Sequence, residues 1–104
     1  MADLRVERLA GILADYSLAV QPGDLVLVDG SLRAAPLIRA LHRRILEAGG
    51  YPHVRAGVDG AAETLLSEGT DAQLDWVNPS RFEQFRRCDA TMYIDAPANT
   101  RSLS

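Results

Sequence analysis

Four consecutive apolar residues, Leu25-Val26-Leu27-Val28, stand between Asp24 and the pair Asp29-Gly30. A strand with one wet face alternates apolar and polar residues. A run that is apolar at every position suits a strand covered on both faces. Such a strand belongs near the middle of a parallel sheet, and a parallel sheet needs a crossover element to return the chain. The next segment provides one. From Ala35 to Ala48, the residues Leu37, Ile38, Leu41, Ile45 and Ala48 recur three or four apart, Pro36 is acceptable in the first turn, and Gly49-Gly50 ends the pattern. At ~1.5 Å per residue this helix is about 21 Å long. The strand before it, at ~3.3 Å per residue, is about 23 Å long. The lengths match, as a helix running back across its strand requires.

The rest of the chain extends the same unit. Leu4 to Ala19 reads as an amphipathic helix with Leu9, Ile12, Leu13, Tyr16 and Val20 on its inner side, and Gln21-Pro22-Gly23-Asp24 reads as a turn. His53 to Val58 is a second strand, more polar and so nearer a sheet edge. Two short helices follow. Thr70 with Gln73 and Ser80 with Glu83 fit the capping box, in which each side chain satisfies a free amide of the other's turn. Leu74 and Val77 are expected to face inward from one helix, and Phe82 and Phe85 from the other. Ala90 to Ile94 is the third strand. Strands alternating with helices define an α/β fold: three layers, a small and mostly parallel sheet of about three strands, and helices on both faces. Right-handed crossovers leave strand order 2-1-3 or 3-2-1. Order 2-1-3 is favoured because it centres the most apolar strand. Three strands are few for this class, so an incomplete domain is expected.

Composition narrows the partners. The chain has 104 residues, enough for one compact domain, with 47% hydrophobic and 24% charged residues. A net charge of −3 gives no electrostatic ground for binding nucleic acid or an anionic membrane. No apolar run approaches the ~20 residues that span a bilayer, and the start, MADLRVERLAG, lacks a signal region. Cys88 is the single cysteine, which points to a reducing, cytoplasmic compartment. All 11 basic residues are arginine, so no Schiff-base lysine or phosphate-loop lysine exists in this segment.

In open parallel sheets, ligands bind at the carboxyl ends of the strands. Each strand here ends in aspartate: Asp29 before Gly30, Asp59 before Gly60, and Asp95 before Ala96. Three carboxylates at one edge could hold a hard cation such as magnesium. The preferred alternative is turn and cap chemistry at strand-to-helix corners, with no metal. Ser31 reads as a helix cap, since GxGxxG, GxxxxGK and GxSxG patterns are all missing. His42 and His53 have no partner at metal-ligand spacing and read as structural. Cys88 reads as a buried thiol. Asn99 and Arg101 are the polar pair of the tail with the look of a functional loop. The ligand-binding candidates are therefore Asp29, Asp59, Asp95, Asn99 and Arg101; no catalytic or metal residue is assigned.

The stretch YSLAVQPGDLVLVDGSLRAAPLIRALHRRILEAGGYPHVRAG, then TDAQLDWV and the tail APANTRSLS, resembles the thermophilic metalloaminopeptidase family. That group contains aminopeptidases T and S and the similar PepS enzymes. The resemblance implies an exopeptidase that removes amino-terminal residues from peptides at a site holding two divalent ions (zinc, cobalt, magnesium or manganese), and a homodimer. It places the metal ligands in a carboxy-terminal portion beyond these residues. Residues 1–104 are accordingly expected to be a truncated amino-terminal α/β domain, structural rather than catalytic, with the metal-binding domain absent. The competing reading is a stand-alone receiver-like or small-ligand module using Asp29, Asp59 and Asp95. A segment with only a structural role is the third.

Overall fold

In the computed structural model, residues 3–95 are described. Helix α1 (Leu4–Ile12) starts where the Asp3 carboxylate accepts from the Arg5 amide, and it runs into a π-helical turn over Leu13–Ser17. Strand β1 (Leu25–Ser31) leads through a 3-10 turn (Leu32–Ala34) into α2 (Ala35–Glu47). Strand β2 (Tyr51–Gly57) is followed by α3 (Ala61–Glu68), α4 (Asp71–Asp75) and α5 (Pro79–Arg87), and β3 (Ala90–Ile94) closes the order. All pairing is parallel and the strand order is β2-β1-β3. The all-apolar strand is central, as its lack of a polar face requires.

The two faces are covered by different helices. Val26 and Val28 of β1 point into a cluster with Ile38, Leu41 and Ile45 of α2, Ala10 of α1, Ala14 and Ile94. Leu27, also fully buried, lies outside that cluster and faces the other way. On its side, His53 is in register with Leu27 and lies 3.3 Å from Gln84 of α5. In order 2-1-3 the first crossover moves one way along the sheet and the second moves back. Crossovers of one hand must then put α2 on one face and α3–α5 on the other.

Several local expectations are corrected. The first helix is not one α-helix to Ala19: Leu18 donates to the Leu13 carbonyl at 2.8 Å, the i to i+5 bond of a π-turn. Of the expected inner side, Val20 is buried and Leu13 packs against the core, but Leu9, Ile12 and Tyr16 are exposed, Tyr16 by 82%, and Ala10 and Ala14 are buried in their place. Small side chains let α1 approach α2, and Arg44 clamps the pair through Asp15 at 2.7 Å. The hydrogen bonds that Arg44 donates, first to Asp15 and then to Glu47, hold its guanidinium pKa above the usual value. The second strand runs Tyr51–Gly57, and the helix α3 lies between it and the two expected helices. The Thr70–Gln73 capping box is present. The Ser80–Glu83 box is not, because Asn78 caps α5 by accepting from the Ser80 amide at 3.0 Å. Glu83 instead accepts from Arg86 at 2.7 Å and Arg87 at 2.6 Å, which depress its carboxyl pKa, Arg86 first. Leu74, Val77, Phe82 and Phe85 were expected inside and are all exposed. Cys88 is half-buried, its thiol 3.2 Å from the Phe85 carbonyl.

Two residues past the π-turn, Ala19 has φ of 48°. A β-carbon in this left-handed region is strained by about 1–2 kcal/mol, against the unfolded-state entropy that glycine adds. Ala19→Gly should therefore raise stability by up to about 1 kcal/mol, read as a higher denaturation midpoint; a lower midpoint contradicts the geometry.

Candidate functional site

Position 29 lies in the central strand, and its neighbours in register are Arg55 on β2 and Tyr93 on β3. Residues in parallel register point to the same face, so Arg55, Asp29 and Tyr93 form a row on the α5 side. Arg81 reaches down from α5 and ion-pairs with Asp29. The Asp29 Oδ1 atom is buried and has no hydrogen-bond partner. Beyond the end of β2, the Asp59 carboxylate accepts from Arg33 Nε at 3.0 Å.

A cleft of about 410 Å³ opens above the carboxyl ends of the strands. The expected trio Asp29, Asp59 and Asp95 all line it, together with Ser31, Arg33 and Arg55. The sheet therefore gathers these residues at one edge, as open-sheet geometry requires. Asn99 and Arg101 lie outside the described residues. The surroundings of the three aspartates differ from those of a cation site. Among the described residues, no group of three His, Cys, Asp or Glu side chains is placed to hold a metal ion. Two of the three aspartates already have arginine partners, and a hard cation needs six or more oxygen donors or waters.

The local roles of the aspartates differ from one another. Asp59 does precede a turn: Gly60 has φ of 86° and caps α3. Asp29 and Gly30 are not at a turn; both are inside β1, and the corner comes later, where Ser31 accepts from the Arg33 amide at 3.1 Å. The arginines Arg33, Arg55 and Arg81 were the residues that sequence reasoning passed over. Arg81 is 52 positions from Asp29, so no local spacing could reveal that pair. Arg55 had a weak signal: it shares a period of two with His53, which marks one face of a strand.

A magnesium titration checks the cleft. We expect no saturable binding at sub-millimolar concentration by calorimetry. Stoichiometric binding that Asp29→Asn removes would restore the cation reading.

This is a three-stranded parallel sheet with crossover helices on opposite faces and a cleft at its carboxyl edge: an open-sheet α/β unit. A family model described as thermophilic metalloprotease (M29) matches residues 2–104, and the chain belongs to that family. Its members are metal-dependent peptidases and hence hydrolases. Among solved structures, wild-type AmpT from Thermus thermophilus is similar, with a TM-score of 0.71 and 20% sequence identity. The match covers 97% of this chain and 26% of that one, so the chain spans about a quarter of that structure's length. That likeness establishes the shared fold. The curated proteins contain no match. No helix among the described residues is long and apolar enough to cross a membrane.

Proposed function

We propose that this chain is the amino-terminal α/β portion of a cytoplasmic metalloaminopeptidase, whose complete form removes amino-terminal residues from peptides and works as a homodimer. The observation that carries the reading is the family match over residues 2–104. The 26% share of AmpT fits a segment of a larger enzyme. In this reading residues 1–104 hold structure and supply neither catalytic nor metal-binding side chains. The described residues do not fit a two-metal centre, so the zinc, cobalt, magnesium or manganese ions expected for the family would be held by other parts of a complete enzyme. The alternative receiver-like module rests on the cleft that gathers Asp29, Asp59 and Asp95. The absence of any lysine weighs against it, because phosphate sites commonly need one.

The test has two arms. Purified chain supplied with zinc, cobalt or magnesium should release no leucine from a leucyl peptide. The product of the gene read beyond Ser104 should release it in a metal-dependent way. Activity in the first arm defeats the assignment of a structural role, and inactivity in both defeats the aminopeptidase reading.

A further inference from the structure

The two sides of the sheet are finished to different degrees. On the α2 side, Val26 and Val28 sit in a closed cluster. Outside that cluster, Leu27 is the only buried apolar side chain among the described residues. From Tyr51 to Tyr93 no residue is buried, so α3, α4 and α5 form a layer without a core of its own. Local polar contacts secure these helices: the Thr70–Gln73 box, the Asn78 cap, and Glu83 with Arg86 and Arg87. Such contacts hold turns in place but replace little of the burial that offsets the entropy of ordering a chain. Arg81 and Gln84 take up the face of α5 turned to the sheet, through Asp29 and His53. That leaves Phe82 and Phe85 on its flank. Both are more than half exposed, as are Leu66, Trp76, Val77 and Tyr93 on the same side of the sheet. Single exposed apolar residues are ordinary; a whole layer that exposes its large ones marks an interaction surface.

We propose that the α3–α5 face is an internal docking surface, covered in the complete enzyme by the part of the same chain that follows residue 104. The proposal rests on the reading of this chain as a portion of a larger enzyme, and adds which face meets the remainder. Two observations select this occupant. AmpT shares the fold over 97% of this chain, yet the matched unit is only 26% of that structure's length, so there a unit of this shape belongs to a much longer chain. Tyr93 of β3 is in register with Asp29, the partner of Arg81, so the chain leaves the described residues at Asp95 next to α5. The chain that follows therefore starts beside the uncovered layer. Its apolar side chains would give residues 51–93 the core they lack, while the α1–α2 side already has one.

Hydroxyl-radical footprinting of the product of the gene read beyond Ser104 measures the coverage. Relative to the denatured product, oxidation of Trp76, Phe82, Phe85 and Tyr93 should fall by about tenfold or more, as for side chains enclosed by neighbours. Oxidation near the denatured rate overturns the proposal. A photoreactive benzoylphenylalanine in place of Phe85 identifies the cover. The expected product is a cross-link to residues beyond 104 of the same chain. A dimer-sized cross-link overturns the proposal in favour of a second copy, and cross-links confined to residues 1–104 overturn it as well. Neither measurement uses metal or activity. A covered face on a product that cleaves no leucyl peptide would end the aminopeptidase reading alone. An active product with these side chains bare would end this proposal alone, and a reading frame that stops at Ser104 also ends it.

Discussion

Truncating Leu27 to alanine should lower the unfolding free energy by about 2–5 kcal/mol. Leu27 is fully buried at the middle of β1, with β2 and β3 on either side and α5 above. Removing its isobutyl group loses the transfer free energy of those carbons. It also leaves a cavity, because a strand hydrogen-bonded on both sides cannot move inward to fill it. The exposed Arg43→Ala should cost less than about 0.5 kcal/mol. Urea midpoints measured side by side make the comparison; equal midpoints would remove β1 from the centre of the fold.

The same strand shows why some of the structure was legible and some was not. Leu25–Val28 announces a strand with two buried faces, and that property alone puts it in the middle of the order β2-β1-β3. The stripe on α2 was readable because its apolar residues are large and fall on one face. Ala90–Ile94 was found with the bounds observed. The first helix misled because it has two apolar stripes, one large and one small. Close packing against α2 selects the small one, Ala10 and Ala14, and only the partner's shape decides that. Helix α3 was missed because it is short and follows a strand whose Asp59-Gly60 corner reads as a simple loop.

Exposure failed for a related reason. Periodicity in Leu74, Val77, Phe82 and Phe85 shows that a face can be covered, not that this chain covers it. The cleft was legible in its acidic half, because parallel strands end on one side. The basic half was not: Arg81 meets Asp29 through the third dimension, across α2, β2, α3, α4 and the start of α5. That pairing changes what the aspartates can do, turning a possible cation site into one of mixed charge.

Gly30→Ala should destabilise the fold by about 1–3 kcal/mol, although it adds a single methyl group. Gly30 is buried near the carboxyl end of β1 and pairs with both neighbours. A β-carbon there would overlap the Ile94 carbonyl oxygen and stand 3.0 Å from Ile38 Cδ1. The overlap is with backbone, so no rotamer change relieves it. Either the end of β3 moves away from β1, or β1 shifts toward α2, where Ile38 is already packed in the main cluster. The first route opens the last rungs of the β1–β3 ladder, so the amides of Met92 and Ile94, which alternation turns toward β1, should exchange faster with solvent. Gly57→Ala is the matched control. Its β-carbon would meet the Gly30 carbonyl at 3.8 Å, an ordinary contact, and replacing glycine in an unstrained strand position restricts the unfolded chain. Gly57→Ala should therefore be neutral or slightly stabilising. If both variants unfold at the same urea concentration, the close approach of β3 to Gly30 is not part of the folded state. If only Gly30→Ala loses stability but β3 exchange is unchanged, the strain is carried by α2 instead.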